Sequence, residues 1–130
     1  MARARLGLAV VAVLAGLAVL AGLLAACGGS GGSGAASTPA AKSACQQVGA
    51  AAADGPDSGA DPVGYASAQI LPLRAIKIPS DPTLQAAIDS LASAYQSFYR
   101  DNGSGHGVKS AVDQAAKNVN ALCPGAGTGV

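Results

Sequence analysis

The sequence predicts an all-α domain: a small up-down four-helix bundle, with the second helix imperfect, between residues 41 and 123. Two observations carry this expectation. Apolar side chains recur at steps of three and four in four separate stretches, the spacing that gathers them on one face of a 3.6-residue turn. The stretches are bounded by helix start and stop signals, including two Asp-Pro pairs, Asp61-Pro62 and Asp81-Pro82.

The clearest element spans 82 to 101. Leu84, Ile88, Leu91, Tyr95 and Phe98 share one face, while Asp89, Ser93, Gln96 and Arg100 fall elsewhere. Asp81 is a good N-cap, Pro82 suits the first helical position because its missing N–H would have no partner there, and Asn102-Gly103 ends the run. Residues 107 to 122 repeat the pattern with Val108, Val112, Ala115, Val119 and Leu122, and Lys109, Asp113 and Lys117 stack one turn apart outside. A short first helix, 41 to 53, carries Ala41, Cys45, Val48 and Ala52 and stops at Asp54-Gly55-Pro56. The second begins at Pro62 with Val63, Ala66, Ile70 and Leu73 inward, and Pro72 must kink or stop it.

Upstream of this domain, Leu6 to Ala26 carries no charge and is almost wholly Ala, Leu, Val and Gly, preceded by Arg3 and Arg5. That is the layout of a secretory signal peptide, here residues 1–26. An apolar run of roughly 20 residues is also long enough to span a bilayer, but Ala and Gly make this one weakly apolar. At its end Leu24-Ala25-Ala26-Cys27 resembles the lipobox of bacterial lipoproteins. The resemblance implies cleavage before Cys27, acylation of its thiol with palmitate-type chains, and a protein anchored through lipid to the extracytoplasmic face of the cell membrane. Gly28 to Ala40 is Gly, Ser and Ala with Thr38-Pro39 and Ser37 near its end. It reads as a flexible tether with a reach of about 20 Å, and Ser37-Thr38 also suits a sugar acceptor.

Lipid on Cys27 leaves Cys45 and Cys123 as a disulfide pair in a compartment where disulfides persist. They stand near the start of the first helix and at the end of the last. Those ends meet in an antiparallel bundle of four helices, whereas three alternating helices would put them at opposite poles. A domain of roughly 80 residues is small for a self-sufficient core, so one disulfide closing it is a useful staple. Residues 124–130 are expected to be a disordered tail.

Without Arg3 and Arg5, six basic side chains face seven Asp. Nothing in that balance suits nucleic acid, which calls for clustered Lys and Arg. His106, the lone histidine, sits in a Gly-rich stretch and lacks the companions that a triad or a zinc site needs. The run Gly103-Ser104-Gly105-His106-Gly107-Val108-Lys109-Ser110 approaches a phosphate-binding loop, but Val108 stands where Gly must precede Lys. Asp54, Asp57 and Asp61 do not match a calcium loop and are assigned to capping and solvation.

The chain resembles the small Ala-rich helical lipoproteins of actinobacterial envelopes, on the strength of the lipobox, the tether and the paired cysteines. The expected function is a non-enzymatic binding or accessory module that meets an envelope protein, with no cofactor. The alternative is a carrier of a small apolar ligand such as haem or lipid, for which Tyr65, Tyr95, Phe98 and Tyr99 would line a pocket. The stretch Leu71 to Pro79 concentrates branched residues between two prolines, and Leu73, Ile76 and Ile78 are the expected partner-binding anchors.

Overall fold

The computed structural model describes residues 37–130. They form four helices, α1 (Pro39–Ala53), α2 (Pro62–Ala75), α3 (Pro82–Arg100) and α4 (Val108–Leu122), and no strand among the described residues. The fold is the all-α bundle closed by a Cys45–Cys123 disulfide, whose Cα atoms lie 5.2 Å apart.

α1 begins two residues before the expected start, because Thr38-Pro39, assigned to the tether, supplies the first turn. The Thr38 hydroxyl accepts a hydrogen bond from the Ala41 N–H at 3.1 Å, and Pro39 occupies a position that needs no donor. Asp61 and Asp81 cap α2 and α3 in the same way, accepting from the N–H of Gly64 at 2.8 Å and of Leu84 at 2.9 Å. Pro72 does not stop α2, which runs on to Ala75. The ring removes the donor that would serve the Ala68 carbonyl, and both residues are exposed, so water can serve that carbonyl instead.

α3 ends in a Schellman turn. Gly103 donates to the Phe98 carbonyl at 2.8 Å and Asn102 to that of Tyr99 at 3.1 Å, with Asn102 in the left-handed region at φ 49°. Gly103, at φ 70°, also lies so close that a Cβ there would stand 3.0 Å from the Phe98 ring.

α1 packs on α2, α2 on α3 and α3 on α4. α1, at 15 residues, matches α2, at 14, in length but is offset along it. Gln47, Ala50, Ala51 and Asp54 share a shallow groove with Pro72, Ala75 and Ile76, while Gly55 already lies against Tyr65 and Gln69. α1 therefore runs antiparallel to α2 over its C-terminal half only, and the loop 54–61 follows the remainder. Val48, Leu73, Leu84, Ile88, Leu91, Tyr95, Val112 and Val119 form the heart of the core, with Ala41, Ala44, Ala115 and Ala116 letting the outer helices come close.

The last side of the bundle, between α1 and α4, is closed by the disulfide and by residues 124–130. The expectation that these residues are a disordered tail is corrected. Ala126 is buried and stands about 3.9 Å from where a Cβ on Gly49 would be, and Val130 packs against the core. Small residues allow this backbone to lie flat on the helices, which supply partners for its polar groups.

Candidate functional site

Leu73, Ile76 and Ile78 do not form a surface patch. They are 1%, 3% and 2% exposed and belong to the core, so their assignment as partner-binding anchors is corrected. After Ala75 the chain turns across the end of the bundle, and Gln85 fixes that turn by accepting from the Ile78 N–H at 2.7 Å and donating to the Ile76 carbonyl at 3.3 Å. The branched side chains thereby cap the core instead of facing solvent. Leu71, at 77% exposed, is the one large apolar side chain of this stretch that remains outside.

Two flanks of α4 carry polar contacts or grooves. On one flank Asn120 grips the residues after the disulfide: its Nδ2 donates to the Thr128 carbonyl at 3.2 Å, and its Oδ1 accepts from the Thr128 N–H at 3.4 Å and hydroxyl at 3.1 Å. The Tyr95 hydroxyl, reaching out from α3, accepts from the Gly129 N–H at 3.1 Å. Lys109 donates to the Val130 carbonyl at 2.7 Å while pairing with Asp113 at 3.4 Å.

Beneath this segment Tyr65 and Tyr95 meet edge to face, with ring centroids 5.9 Å apart. Burial pushes both phenols above their ordinary range. For Tyr95 the neighbouring Tyr65 adds to that rise and the Gly129 N–H offsets part of it. Two neutral, reluctant acids in a packed core suit hydrogen bonding, not proton transfer at ordinary pH. Gln69 is also buried, under Gly55, and its Nε2 has no partner among the described residues.

The other flank of α4 borders an open groove of about 570 Å³ with α3, lined mainly by small side chains such as Ser90, Ser93, Ala94, Ala111 and Ala115. His106 stands exposed at its end, beside Gly107, which begins α4 at φ 77° without a side-chain cap. A smaller groove of about 260 Å³ lies over the disulfide, lined by Cys45, Gln46, Gly49 and Cys123 to Ala126.

Comparison with protein-family models, with curated proteins and with solved structures finds no match to this chain. Its reading therefore rests on its own residues. Asp57 accepts from the Gly59 and Ala60 N–H groups at 2.9 and 2.8 Å, so with Asp61 it organises the loop before α2. Among the described residues no three His, Cys, Asp or Glu are grouped to hold a metal ion, and no helix is long and apolar enough to cross a membrane. Cys27 and the expected signal peptide lie outside the described residues.

The grip on residues 126–130 had no counterpart in the sequence analysis. Asn120 is not singled out there, and Tyr95 stands on the apolar face of its helix and, in the carrier reading, in a ligand pocket. Its one visible signal is the composition of Gly125-Ala126-Gly127-Thr128-Gly129, small enough to lie flat on a helix.

Proposed function

We propose that this chain is an exported lipoprotein, anchored through Cys27 to the extracytoplasmic face of the cell membrane, whose helical domain is a non-enzymatic binding or accessory module for an envelope protein. The membrane is its first partner, through lipid. Acyl chains suit this role because two or more of them hold a protein stably to a bilayer where one does not.

The observation that carries the module reading over the carrier reading is the filled interior. Tyr65 and Tyr95 pack on each other and Phe98 is buried against Gly103, so three of the aromatic side chains proposed to line a haem or lipid pocket are already engaged. The described concavities are open grooves on the outside, lined largely by small side chains. Such a domain offers surface, not a lumen.

Two measurements test the reading together. Clickable palmitate is expected to enter the wild-type chain and not Cys27→Ser, and an absorption spectrum of the purified protein is expected to lack a haem band. Equal labelling of the variant overturns the anchor, and a bound chromophore that survives purification returns the carrier reading.

A further inference from the structure

We draw no further inference here: the strongest candidate, the open groove between α3 and α4 lined by Ser90, Ser93, Ala94, Ala111 and Ala115 with His106 at its end, carries nothing because it is a stripe of small side chains beside an uncapped helix N-terminus, and nothing in the structure shows what covers it.

Discussion

Breaking the bond between Cys45 and Cys123 is the perturbation whose consequence follows most directly from the chain's layout. The two residues are 78 apart in sequence, so the bond denies the unfolded chain a large set of open conformations. In the chain-entropy treatment a loop of that length is worth about 4.5 kcal/mol, comparable to the whole stability of many small domains. For a domain of this size a loss of about 4.5 kcal/mol lowers Tm by about 20–35 °C. The assay is thermal unfolding by circular dichroism of the oxidised protein beside Cys45→Ser/Cys123→Ser. Reduction by dithiothreitol, with both thiols counted as free, should reproduce the variant. A shift below about 5 °C, with the bond confirmed by peptide mapping, would refute this assignment of where the stability originates.

Four further outcomes are expected. Ile78→Ala should cost about 2–5 kcal/mol in denaturant unfolding, since this residue is core, and a neutral result would restore it to the surface. Gly103→Ala should be more damaging than Gly107→Ala; both glycines have positive φ, but a Cβ at 103 meets the Phe98 ring and one at 107 meets nothing, so equal unfolding midpoints would contradict the packing. Gln69→Met should raise stability by about 1 kcal/mol, because it replaces a buried unpartnered amide with an apolar chain of similar length; a lower Tm would mean that the amide is satisfied. Tyr65 and Tyr95 hold their protons more tightly folded than unfolded, so stability should be level below the ordinary tyrosine value of 10.0 and fall as pH rises past it. The slope can reach about 1.4 kcal/mol per pH unit for each phenol, and unchanged urea midpoints between pH 9 and 11 would contradict it.

The parts of this fold legible in the sequence are those with a local cause. Asp81-Pro82 and Asp61-Pro62 announce helix starts because the cap is made within three residues, and Leu84 to Phe98 announces a buried face because period alone produces it. Pro72 misled for the opposite reason: its cost depends on whether the orphaned carbonyl faces water, which only the assembled bundle decides. Ile76 and Ile78 look alike in sequence whether they close a core or project from it. The difference is made by Gln85, seven and nine residues away, pinning the turn. The docking of residues 126–130 was the least legible, because its grip uses main-chain atoms, which carry no sequence pattern. For the same reason the half-buried Asn120 and the core Tyr95 could not be recognised as its partners.

The covalent link between the first helix and the end of the last has a mechanical consequence. If tension is applied across the two ends of the described chain, it enters at Ser37, passes along α1 to Cys45, crosses the disulfide to Cys123 and leaves through the final residues. Everything from Gln46 to Leu122 lies inside the covalent loop and off the load path. The described residues outside the loop, 37–44 and 124–130, can lengthen to about 50 Å at most when fully drawn out. The core of α2, α3 and α4 is thereby shielded from a pull that would peel an unlinked bundle apart helix by helix, and only the residues outside the loop lie on its path.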